Sequence, residues 1–153
     1  MKKNKLILIA LVAILIIIQF FKIDKSHPEL SPDNDYLVVA NAPQGIKSNI
    51  TKSCYDCHSY QTTYPWYSNI APVSWMINHH IDEGREHINF SEWGNYPLQK
   101  QTLVQEECME EVEENGMPLK SYTMIHKDAK LSETAKEDLI KWFRSQTTSD
   151  TLK

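Results

Sequence analysis

The chain has 153 residues, 41% of them hydrophobic and 24% charged, with a formal net charge of −4. That is enough apolar material for one domain with its own core, and too much for a disordered chain. Residues 1–22 hold four lysines and no acid, leaving 12 basic and 20 acidic residues beyond them, a formal net of −8 that argues against nucleic acid as a partner.

The first element is an apolar helix. A basic start, MKKNK, leads into LILIALVAILIIIQFFKI, 18 residues from Leu6 to Ile23 broken only by Gln19 and Lys22. At ~1.5 Å per residue this reaches roughly 27 Å, close to the ~30 Å hydrocarbon thickness of a bilayer. The run has no polar face, which argues against a buried soluble helix. It lacks a small-x-small site at its end, so an uncleaved anchor over residues 1–23 is favoured over a cleaved signal peptide. The basic flank puts the N-terminus inside and the rest of the chain on the extracytoplasmic side, as for a single-pass protein of a bacterial inner membrane.

Residues 24–43, with three prolines, read as a tether containing one short extended stretch at 36–40. Four helices are expected after it. Residues 44–54 form a short one that delivers a pair of cysteines. Residues 71–88 start with Pro72 in the first turn and place Val73, Met76, Ile77, His80 and Ile81 on one face. Residues 98–114 repeat Val104, Cys108 and Val112 at a spacing of four beside Leu103, and Gly116 ends the helix. Residues 132–145 open with Ser132 as N-cap and carry Ala135, Leu139, Trp142 and Phe143 on the apolar face. Residues 147–153 read as a disordered tail. No stretch of the body alternates as a strand would, so the expected fold is all-α, a domain over 44–146. The aromatic loops TTYPWYSNIAP and NFSEWGNYP suit wrapping a large flat ligand.

The chemistry is concentrated in residues 53–60, SCYDCHSY. A redox dithiol needs a thioredoxin-like βαβ setting, which the surroundings lack. A zinc site, stabilising an interaction module, needs four ligands. Cys54 and Cys57 have no second CxxC; His79, His80, His87 or His126 could join them, but His79 and His80 are adjacent, diverge by about 100° on a helix, and only one of the two can serve. Cys108 stands alone on an apolar face, where an inert thiol sits. Covalent haem c uses all three residues: Cys54 and Cys57 add across the vinyl groups and His58 binds the iron. One covalent haem is the favoured reading.

The order of CxxCH, middle helices, Gly116-Met117-Pro118 and then LSETAKEDLIKWF resembles a small class I-like cytochrome c. The motifs CYDCHS, YPWYS, APVSW, INFSEW, MPLKSY and HKDAKLS together resemble, over residues 43–145, the bacterial haem-binding domain family, typical of membrane-anchored proteins. The resemblance implies covalent haem with His58 proximal and a Met-Pro loop supplying the distal ligand, Met117. His126, in HKDAKLS, is the alternative distal ligand or a group bonding to one.

Among the other histidines, His80 reads as a core residue, His79 and His87 as surface residues and His27 as part of the tether. Trp66, Tyr67, Trp75 and Trp93 are candidates for an aromatic wall, and Trp66 or Arg85 for donors to the propionates. Six glutamates between positions 106 and 114 read as a solvated face, or as a docking patch for a basic redox partner. Electron transfer outside the cytoplasm, without catalysis, is the expected role. A haem-based sensor or weak peroxidase with an open or His-ligated sixth position is the runner-up. Oligomeric state is not legible.

Overall fold

A computed structural model describes residues 2–150 of the chain, with side chains through Thr147. Among these residues the secondary structure is entirely helical. The first helix, α1 (Lys2–Ile17), continues through a 3₁₀ turn at Ile18–Phe20 and buries no side chain. Its apolar surface is therefore unpartnered along its whole length. Over Lys2–Phe20 it is long and apolar enough to cross a membrane.

The body is built from α2 (Tyr36–Val39), α3 (Gln44–Ser53), α4 (Tyr55–His58), α5 (Val73–His87), α6 (Leu98–Glu113), α7 (Lys120–Ile125) and α8 (Glu133–Asp150). The main pairing is α6 against α8. It buries Val104 and Val112 on one side and Leu139 and Phe143 on the other, the spacing-of-four stripes expected for each helix. Leu103, expected beside that stripe, is exposed. Ser132 caps α8, its Oγ accepting from Ala135 N at 3.1 Å. The helix continues to Asp150, through residues 147–150 of the segment read as a tail, while 151–153 lie outside the described residues.

The centre of the core is Tyr36, which has no exposed surface. Its ring packs on Trp93 at 4.6 Å, Phe90 at 5.2 Å and Phe143 at 6.3 Å, and Trp142 Nε1 donates to its hydroxyl at 2.9 Å. This corrects the expected tether. YLVVA has β propensity and suggests an extended stretch. It forms a helical turn because Asp35 caps it, accepting from Leu37 N at 2.9 Å, and because Tyr36 and Leu37 bury into the body. Upstream residues are attached as well: His27 stacks on Tyr60, and Asn34 bonds to Asn95.

Candidate functional site

The CxxCH segment is one tight turn between two helices. Cys54 leaves α3 with φ −125°, and the chain re-enters helix at Tyr55. Cys57 N and His58 N both donate to Cys54 O, at 3.2 and 2.9 Å, which brings the two thiols and the imidazole onto one turn. Tyr55 points the other way. It is buried against Phe90 and donates to Asp35 Oδ1 at 2.8 Å, so the turn is pinned to the core from behind.

Helix α5 crosses this turn at Gly84. A Cβ there would stand 2.8 Å from Cys57 O and 3.3 Å from Cys57 Cβ, so only glycine permits the approach. The contact sets the imidazole. His58 Nδ1 lies 2.8 Å from Gly84 O. A carbonyl can only accept, so Nδ1 carries the proton. Burial lowers the His58 pKa against the raising backbone hydrogen bonds to Gly84 and Ile88, which favours the neutral imidazole with its lone pair on Nε2.

Cys54, Cys57 and His58 open onto a cavity of about 700 Å³, well inside the ~300–1,000 Å³ typical of ligand sites. Its apolar wall comes from Ile88, Phe90, Val104, Val112, Leu119 and Phe143, drawn from four stretches of the chain. Met117 also lines it. Two backbone bonds hold Met117 there: Gly116 N and Met117 N both donate to Glu111 O, at 2.9 and 3.1 Å. The left-handed residue ending α6 is Asn115 (φ 60°), not the expected Gly116.

Other expected site residues lie elsewhere. His126 does not line the cavity. Its Nε2 is 2.6 Å from Tyr67 Oη, and its ring stacks on Tyr122 at 4.4 Å. Trp66 is an exterior residue at 77% exposure. Arg85 follows Gly84 and so turns about 100° away from the cavity. It clamps the next loop instead, donating to Ser59 O at 2.9 Å and Thr62 Oγ1 at 3.0 Å. Trp75 is exposed, and Trp93 is buried in the core behind the cavity.

Sequence reasoning read His80 as a core residue and His87 as a surface residue and did not single out Glu83; all three line the cavity with Gly84. They form an i, i+3, i+4, i+7 stripe, a helical signal hidden from a search for apolar periodicity because its members are polar. Glu107, Glu110 and Glu111 line it from α6 and Glu114 from that helix's C-cap, so part of the acidic run borders the site. Cys108 lines it too.

Two alternatives lose their footing. Burial pushes Cys54 up to about 12 and Cys57 up to about 11, away from the thiolate a redox dithiol needs. Among the described residues, no group of three or more His, Cys, Asp or Glu side chains is placed to hold a metal ion, as structural zinc requires.

Compared with known protein families, residues 13–145 match the haem-binding domain family. The chain belongs to that family. No curated protein and no solved structure gives a significant match. The matched span begins inside α1, thirty residues upstream of the stretch over which the motifs show the resemblance. The cavity of this haem-binding domain fits its ligand on its own evidence: an apolar slot, a neutral buried imidazole with a free Nε2, and two thiols on the same turn.

Proposed function

We propose that this haem-binding domain is a single-haem c-type cytochrome that carries electrons on the extracytoplasmic face of the membrane crossed by α1. When bound, the haem supplies a one-electron couple. The chain's residues do the rest. Cys54 and Cys57 are the thioether attachment points. His58 is the proximal ligand through Nε2, oriented by its Nδ1–H bond to Gly84 O. Met117 is the distal ligand, and Glu107, Glu110, Glu111 and Glu114 form a negative border where a basic redox partner docks.

The observation that carries this reading is the His58–Gly84 bond. A backbone carbonyl fixing Nδ1–H is the arrangement that presents a histidine's other nitrogen to a metal. The lining of the cavity favours Met117 over His126 as the second ligand, since only Met117 reaches it.

The test is spectroscopic, on the full chain purified in detergent. Haem that stays with the protein through acid-acetone extraction supports covalent attachment, and haem that leaves refutes it. The ferric protein is expected to show the long-wavelength sulfur-to-iron charge-transfer band, lost in Met117→Ala and kept in His126→Ala. The reverse pattern overturns the assignment of Met117.

A further inference from the structure

Five of the twelve exposed large apolar side chains beyond Phe21 lie in the stretch that meets the chain just past α1. Trp66, Ile70, Val73, Trp75 and Met76 fall in one eleven-residue stretch, running from the 3₁₀ turn Trp66–Asn69 into the first turn of α5. Trp66 is 77% exposed, Met76 56% and Trp75 40%. Between Asp56 and Asp82 the sequence contains no Asp, Glu, Lys or Arg, in a body whose formal charge is −8. Five exposed apolar side chains within one uncharged run are the composition of an interaction surface.

The same stretch holds the end of α1. Gln19 Nε2 donates to Ala71 O at 3.0 Å while Ala71 N donates to Gln19 Oε1 at 3.0 Å. Trp75 Nε1 donates to Phe21 O at 2.9 Å. Lys25 Nζ donates to Ser68 Oγ at 2.9 Å and Asn69 Oδ1 at 2.8 Å. The 19 residues Lys2–Phe20 rise roughly 28 Å, about one hydrocarbon thickness. Phe20 and Phe21 therefore stand at the hydrocarbon boundary, with Lys22 and Lys25 among the head groups.

We propose that Trp66, Ile70, Val73, Trp75 and Met76 are a membrane-seating face, embedded in the interfacial layer of the bilayer that α1 crosses. The proposal rests on α1 spanning that bilayer. Tryptophan is enriched at this depth, where its ring meets acyl chains and its N–H meets polar groups. The face lacks charged residues, whose desolvation would oppose insertion. Contact through three side-chain anchors with the chain just past α1, at Gln19, Phe21 and Lys25, clamps the domain to the surface instead of letting it swing on a tether. The cavity-lining residues of α5 begin at His80, one turn beyond Met76, so the site is held at a fixed height above the lipid.

The test uses the full haem-loaded chain in phosphatidylcholine nanodiscs doped with a phospholipid carrying a photoactivatable diazirine near the glycerol end of its acyl chain. Mass spectrometry is expected to find label on α1 and on residues 66–76, with none on α8. Trp66→Ser/Trp75→Ser is expected to lose the label on 66–76 and to keep that on α1, with an unchanged haem absorbance spectrum as the check on folding. Label on α1 alone, or spread equally over α8, overturns the seating face and leaves the anchor standing. Absence of label on α1 overturns the anchor and the seating face with it.

Discussion

His58 Nδ1 and the carbonyl oxygen of Gly84 lie 2.8 Å apart, and the approach that joins them depends on the missing side chain of Gly84. One position therefore sets both the packing of α5 on the CxxCH turn and the orientation of the imidazole.

Gly84→Ala places a methyl against Cys57 backbone and pushes α5 outward. The expected cost is about 1–3 kcal/mol, a fall of several degrees in Tm at this chain length, with a smaller fraction of chains carrying haem. Gly45 is the control. A Cβ there meets nothing within 4 Å, so Gly45→Ala in α3 is expected to stabilise by about 0.4–1 kcal/mol. Thermal unfolding of the two variants decides the matter: shifts of the same sign would mean that the close approach at Gly84 does not govern stability.

Asp35 ties the upstream turn to the site. Its Oδ1 accepts from Leu37 N and Tyr55 Oη, and its Oδ2 accepts from Gln61 Nε2 at 2.9 Å. Asp35→Ala strands the buried Tyr55 hydroxyl and uncaps α2, an expected loss of about 2–4 kcal/mol in denaturant unfolding. Because much of that loss is the stranded hydroxyl, adding Tyr55→Phe is expected to cost less than the two single changes summed. Strict additivity would show that the bond between them contributes nothing.

How much of this was legible follows from which signals are local. The bounds of α6 were readable to within a residue because Pro97 and Asn115-Gly116 punctuate it, and the stripe of Leu139 and Phe143 on α8 needed only a 3.6 period. The grouping of Cys54, Cys57 and His58 on one turn was readable because the three lie within five positions. Tyr36 was not, because β propensity lost to tertiary burial and a cap. Nor was the fate of Trp66, Trp75 and Arg85: composition shows that a loop is aromatic, not whether it faces a ligand or the outside. The polar cavity stripe His80, Glu83, Gly84 and His87 was present in the sequence, but it becomes a site only once α6 and the Met117 segment close over it.

His126 is held between two tyrosines, Tyr67 and Tyr122, and is not among the cavity-lining residues. His126→Phe keeps a ring to stack on Tyr122 and loses the 2.6 Å contact with Tyr67, an expected loss of about 0.5–1.5 kcal/mol. The ferric spectrum is expected to be unchanged. A spectrum that converts on this substitution would return His126 to the coordination sphere.

Tyr122 lines the cavity and donates to Asp56 Oδ2 at 2.6 Å, joining α7 to the CxxCH turn. Asp56 Oδ1 accepts from Thr63 N at 2.8 Å, so the carboxylate is held from both sides. Tyr122→Phe removes a bond to a charged acceptor and is expected to cost about 1.5–3 kcal/mol in chemical unfolding. It is also expected to weaken the sulfur-to-iron band in part, because α7 follows directly on the Met117-Pro118-Leu119 segment. Full stability in the variant would show that this bond does not hold α7 to the turn.

The glutamates of α6 give the site a sign. Glu107, Glu110, Glu111 and Glu114 border the cavity, joined by Glu83 from α5, and among the described residues no lysine or arginine lines it. A cationic reagent such as hexaammineruthenium is therefore expected to exchange electrons with the protein faster at low salt than at high salt. Ferricyanide and its reduced form, both anionic, are expected to show the opposite trend. The contrast should fade as the Debye length falls from about 30 Å at 0.01 M to about 10 Å at 0.1 M. Replacing Glu107, Glu110, Glu111 and Glu114 by glutamine is expected to flatten both salt dependences while leaving the absorbance spectrum in place, because the change removes field and not ligands. Stopped-flow rates across ionic strength read this directly, and a variant that keeps the salt dependence of the parent would place the docking charge elsewhere on the acidic body.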